Sequence, residues 1–214
     1  MEDLRPRRSF GRRSECRDAS LIVIACEGRV TEPRYFEALA SAYAPTPSRV
    51  KVKILELPDG HSAPEHVLAG LDRYRKAESL KRGDELWAVI DFDRWGERKL
   101  SEVAAAAVQK DYQLVVSRPC FEFWLLLHFR SPSELENSLT SLEEGGCEAA
   151  RELLRDASGS SAKHLPEVAR LMALVPRAIE NAKALDAEPT QRFPLFPGSH
   201  VYRLAERISR TTVS

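Results

Sequence analysis

A chain of 214 residues with 43% hydrophobic and 30% charged content is long enough to bury a core without disulfide staples, and its 32 basic and 32 acidic residues cancel, a balance that averages over local patches and so decides nothing about a nucleic-acid partner. No apolar run approaches the ~20 residues of a membrane span, the densest being Trp124 to Phe129, and the opening MEDLRPRR lacks the apolar core and cleavage site of a secretory signal. Cys16, Cys26, Cys120 and Cys147 show neither a CxxC pair nor zinc-type spacing, so reduced thiols in a cytoplasmic protein are expected.

In chain order, Arg5, Arg7, Arg8, Arg12, Arg13 and Arg17 form a basic arm over residues 1–18, which reads either as a solvated terminus or as a phosphate-neutralising segment. Four β-like runs follow: Leu21 to Cys26, Val50 to Leu57, Glu85 to Ile90 and Gln113 to Ser117. Helical patterns separate them. The first starts near Thr31, with Pro33 in its first turn and Tyr35, Phe36, Leu39, Ala40 and Tyr43 on one stripe, and ends at Pro45 and Pro47. The second starts after Asp59-Gly60, carries Val67, Leu68, Leu71 and Tyr74, and closes by Gly83. The third runs from about Glu97 to Lys110, with Leu100, Val103, Ala104, Ala107 and Val108 inward. Strands alternating with helices of this length specify an α/β protein with a mainly parallel sheet covered by helices.

After Pro119 the pattern is helical: a helix apolar on nearly every side over Phe121 to Phe129, a polar stretch from Glu134 to Gly146, then amphipathic helices over Cys147 to Asp156, Leu165 to Ala187 and Val201 to Ser209. A proline-rich stretch, Phe193 to Gly198, separates the last two. The expected organisation is the arm at 1–18, an α/β core at 19–130, and a C-terminal helical region at 131–214 packed on it.

The chemistry-bearing residues stand where strands end. LIVIAC runs into Glu27-Gly28, and LWAVI into Asp91-Phe92-Asp93. The carboxyl ends of neighbouring parallel strands share one edge, beyond which ligands bind. Carboxylates gathered there repel one another unless protons or a cation compensate, and a hard divalent ion such as Mg²⁺ takes oxygen ligands. Period-2 alternation would put Asp91 and Asp93 on one side, with ~6.5 Å between their α-carbons. The bland readings are turns for Glu27-Gly28 and for Asp-x-Asp, and helix capping for Thr31 and Glu32. Gly28 permits both a tight turn and close approach of a phosphate. Glu122, among apolar neighbours, needs a partner: an arginine such as Arg118, or a metal shared with the other acids. The five histidines show no metal or triad spacing, and no Walker or GxGxxG motif is present.

The strings ACEGRVTEPRYFEAL, AVIDFDRWG and SRPCFEFWLLLHF, in this order, together resemble the RloB-like family, and FPGSHVYRLAERI resembles its closing helix. That family looks like a divergent branch of the Toprim fold shared by topoisomerases, primases and OLD-type nucleases. The resemblance implies that Glu27 acts in acid-base chemistry or metal binding, that Asp91 and Asp93 hold Mg²⁺ or Mn²⁺, and that Glu122 belongs to the family's Pro-Cys-Phe-Glu-x-Trp motif. It further implies a nuclease-like activity in bacterial anti-phage loci, often beside an ATPase partner. Two positions depart from the pattern: Arg29 stands where an acid or lysine is common, and Trp95-Gly96 replaces a more acidic stretch, which weakens a second metal site.

The resulting expectation is a metal-dependent phosphodiesterase acting on DNA or RNA, with Glu27, Asp91 and Asp93 catalytic, Glu122 a further metal ligand, and Gly28, Arg29, Arg94 and Arg118 holding the nucleic-acid backbone. The alternatives are a non-cleaving module that senses a nucleotide or nucleic acid and signals to a partner, and a structural adaptor whose acids are only turns.

Overall fold

The computed structural model describes residues 19–44, 50–58, 63–159 and 168–210. The basic arm, Pro45, Pro47, Asp59-Gly60, and the start of the helix expected at Leu165 lie outside them. Strands β1 (Ser20–Cys26), β2 (Val50–Leu55), β3 (Glu85–Asp91) and β4 (Gln113–Arg118) alternate with helices α1 (Thr31–Tyr43), α2 (Pro64–Ala77) and α3 (Gly96–Gln109). They form one sheet in the order β2-β1-β3-β4-β5, in which the first four strands are parallel. The fifth, β5 (Gly198–Ser199), is antiparallel to β4.

The central strands are apolar throughout because both faces are covered. Ile22, Ile24, Cys26, Trp87 and Val89 face a core shared with α1 and the later helices, whereas Leu21, Val23, Ala25, Leu86, Ala88 and Ile90 face α2 and α3. In the expected stripes, Tyr35, Phe36 and Leu39 of α1, Val67, Leu68 and Leu71 of α2, and Leu100, Val103, Ala104 and Ala107 of α3 are buried. Val108, expected to face inward, is 75% exposed. It lies in the last turn of α3, just before the chain leaves for β4 through Asp111 at φ 57°.

The buried segment after Pro119 is α4 (Phe121–Leu126), continued to Phe129 by tighter i→i+3 bonds from the His128 and Phe129 amides. Phe121 and Trp124 meet Tyr35 edge-on at 5.6 and 6.2 Å. His128, fully buried, shares 3.2 Å with the Tyr35 hydroxyl and 3.1 Å with the Trp124 carbonyl, and burial lowers its pKa to about 4, so it is neutral. Ser131 and Glu134 form a capping box on α5 (Pro132–Leu135), and after one 3₁₀ turn α6 (Leu139–Ser158) begins. Within this span the helix is broken at Gly146, whose φ 51° and ψ −127° are not helical, so the polar stretch and the helix from Cys147 are separate helical segments, as expected.

α7 (Val168–Leu185) and α8 (Val201–Ser209) complete the second face. The proline-rich stretch, read as a separator, delivers β5: the His200 amide donates to the Val116 carbonyl, and the Ser117 and Ser199 hydroxyls meet at 2.9 Å. No helix among the described residues is long and apolar enough to cross a membrane.

Candidate functional site at the carboxyl edge of the sheet

Because β1 turns to β2 on one side and the chain then returns to β3 on the other, β1 and β3 flank the point where strand order reverses. The register sets Cys26 beside Val89, and the Glu27 amide donates to the Val89 carbonyl at 2.9 Å. Glu27 and Asp91 therefore emerge together. Glu27, 2% exposed, accepts from the Asp91 amide at 3.1 Å, from the Trp95 indole at 2.9 Å, and from the Arg94 guanidinium at 3.1 Å.

A third acid joins them from α1. Glu32 is 7% exposed, and its carboxylate lies so close to Gly28 that a Cβ there would stand 1.9 Å from it. A side chain at position 28 would therefore displace the Glu32 carboxylate. The residue before α1 offers no side-chain cap. The Glu32 and Gly28 amides pull its pKa down against burial, and the carboxylate is turned inward rather than to solvent. Its position was readable: residues 32, 35, 36 and 39 continue one buried helical stripe, which places an acid where an apolar side chain would sit.

Burial is the largest influence on each of these acids, and charge repulsion adds to it. Desolvation raises the Glu27 pKa against the lowering pull of Trp95, the Asp91 amide and Arg94. It raises Glu32 to about 7, with Glu122 and Glu27 pushing the same way. Asp91, whose carboxyl is walled by protein although the residue keeps a partly exposed edge, is driven well above the ordinary carboxylate range by burial, then by Glu32, Glu27 and Glu122. Four carboxylates thus share one electrostatic site.

Asp93 stands apart. The chain stops being extended at Asp91 and turns, with the Trp95 amide donating to the Phe92 carbonyl at 3.2 Å, so alternation no longer governs the direction of Asp93. Its exposed carboxylate sits 3.1 Å from where a Gly146 Cβ would be, and burial raises its pKa while Arg118 lowers it.

The basic residues divide differently from expectation. Glu122 pairs at 3.0 Å with Arg151 of α6, not with Arg118; α6 packs alongside α4, and nothing in the spacing of residues 122 and 151 announces that. Arg118 instead lies over the Phe92 ring at 4.2 Å. Arg29, exposed beside Gly28, lines a cleft of about 640 Å³ at the ends of β1 and β2. Next to the acids, the Cys120 thiol donates to the Cys147 sulfur, a contact that lowers the Cys147 pKa.

An all-oxygen donor set suits a hard divalent cation. Among the described residues, however, no three acidic, thiol or imidazole groups converge on one ion position. Arg94 occupies a Glu27 oxygen, and at 54% exposure its side chain can leave that oxygen at small cost. Arg151 has the opposite role, holding Glu122 while it is 40% exposed itself. Replacing Arg151 by alanine is expected to cost about 1–2 kcal/mol at pH 8, discounted for that exposure, and less near pH 5, where the remaining acids take up protons. Urea unfolding at the two pH values checks this.

No curated protein and no solved structure matches the chain. The model of the RloB-like protein family matches residues 22–208. That span runs from within β1 to within α8 and contains every acid of the site, and on this basis the chain belongs to the RloB-like family.

Proposed function

We propose that this protein is a Mg²⁺- or Mn²⁺-dependent nuclease of Toprim-like kind. The observation that carries the reading is the cluster of Glu27, Glu32, Asp91 and Glu122, carboxyls gathered at the strand-reversal edge with, among the described residues, only Arg94 and Arg151 paired to them. Such a site is costly for folding and favours a cation. Asp91, Glu27, Glu32 and Glu122 are the residues that would hold it, with Asp93 at the rim. A divalent ion held by these carboxylates would supply charge to offset the phosphate and the departing oxygen.

The chain's own groups supply the rest. Glu27, with its raised pKa, is suited to pass a proton to or from the reacting oxygen at its Oε1 once Arg94 has turned away. Arg94, released, is suited to a phosphate of the strand, as is Arg29 beside Gly28. The part played by the basic arm, a role in anti-phage defence and an ATPase partner belong to the same proposal, and rest on family membership alone.

The test is incubation of labelled single-stranded and duplex DNA and RNA with Mg²⁺, with Mn²⁺ or with EDTA. Cleavage is expected with metal and none in EDTA. Absence of cleavage with every substrate and metal overturns the nuclease reading. The Arg94–Glu27 pair, which already neutralises one acid, would then favour the non-cleaving sensor, and a metal-induced rise in melting temperature would support it.

A further inference from the structure

Beside the acids, on the β4 side, α3 and the segment 191–195 enclose a second cleft of about 310 Å³, lined by Phe92, Ser101, Arg118, Gln191, Arg192 and Phe193. Glu97 is its one acid. Phe92 packs on the α2 and α3 side of the sheet, whereas Asp91 shares its surroundings with Glu32 of α1 and Glu122 of α4; Asp93, whose pKa Arg118 lowers, links the cleft to that edge.

Three observations define what fits. Arg118 has no hydrogen bond and no ion pair among the described residues; its guanidinium lies over ring faces, 4.2 Å from the centre of Phe92 and 5.9 Å from that of Phe196, and near enough to Asp93 to lower its pKa. A planar fork fixed in this way keeps its donors for a bidentate anion. Arg192 is exposed, and its one bond is a long 3.4 Å contact to the Ser101 carbonyl. Phe193 is half-buried and meets Phe92 edge-on at 5.7 Å. Two guanidinium groups, an aromatic platform, and the Gln191 amide with the Ser101 hydroxyl make up the chemistry of a nucleotide: phosphate, base face and base edge.

We propose that this cleft seats one unpaired nucleotide of a nucleic-acid strand, its phosphate on Arg118 and Arg192 and its base against Phe193, at the same strand-end edge as the carboxylates. The volume lies at the small end of ligand sites, about 300–1,000 Å³, and admits a single nucleotide but no duplex. The inference rests on the nuclease reading of the same edge and adds the substrate class: single-stranded, or duplex with an unpaired flank.

The experiment measures fluorescence anisotropy of labelled single-stranded DNA and RNA oligonucleotides, and of a blunt duplex, with the full chain in EDTA. Single strands are expected to bind at least about tenfold more tightly than the duplex, and Arg192→Glu and Phe193→Ala each to weaken single-strand binding about tenfold. Arg192 is a surface residue, so that variant is expected to keep the wild-type melting temperature and serves if Phe193→Ala does not fold. Wild-type affinity in Arg192→Glu, equal binding of the duplex, or no binding of any oligonucleotide overturns the proposal. The same proteins are then assayed for cleavage with Mg²⁺ or Mn²⁺. Binding through the cleft without any cleavage refutes the nuclease reading alone. Cleavage with both variants binding and cutting like the wild type refutes the cleft alone.

Discussion

Asp91→Asn is expected to melt at a higher temperature than the wild type near pH 8 without metal, and to cut at least about 100-fold more slowly with it. Both effects have one origin. Burial and three neighbouring carboxylates disfavour ionised Asp91, and an amide of the same shape removes that charge while offering Glu27 and Glu32 a donor. The lower bound on the rate follows because groups that merely orient a metal ligand already cost roughly 10–100-fold when lost. A gain of stability with loss of activity marks a site kept for function at the fold's expense. Thermal melts and a cleavage time course on the same preparation check it, and wild-type cutting by Asp91→Asn would remove the site from the mechanism.

Glu32→Gln is expected to flatten the pH dependence of stability. The Glu32 pKa is raised from 4.5 to about 7 in the folded protein, so folding favours its protonated form. The stabilisation is complete below about pH 4.5 and is lost as pH rises through about 7. Its size is on the order of 3 kcal/mol, at about 1.36 kcal/mol per unit. Urea unfolding from pH 5 to pH 8 is therefore expected to show wild-type stability falling with pH and Glu32→Gln falling much less. Glu27 and Asp91 are raised as well and leave a residual slope of the same sign. In the wild type, millimolar Mg²⁺ is expected to counter the fall near pH 8. Parallel slopes for the two proteins would show that Glu32 does not carry this charge burden.

The strand ends were legible because apolar runs covered on both faces stop at the first charged residue, and Glu27 and Asp91 are those residues, although both carboxyls are themselves buried. The last helix was legible over its full length, Val201–Ser209. Less was visible wherever a partner comes from a distant element. Arg151 takes Glu122 only because α6 packs along α4, and β5 forms only because a two-residue segment of a proline-rich stretch happens to reach Ser117 and Arg118. Asp93 was misdirected by a local rule, since alternation ends with the strand. Glu32 was underweighted for another reason: its place on the buried stripe of α1 competed with a familiar capping pattern. The break at Gly146 was legible, because the segments on its two sides differ in polarity.

The β4–β5 pairing also bears on how the polypeptide is made. A nascent chain that has emerged only as far as residue 130 presents the bare outer rim of β4 together with the oily sides of α1 and α4, which α7 and α8 later cover. Naked rims and greasy patches of this sort invite aberrant association. On the ribosome this protein therefore passes through a vulnerable interval that closes when Gly198–Ser199 and the helix behind it dock.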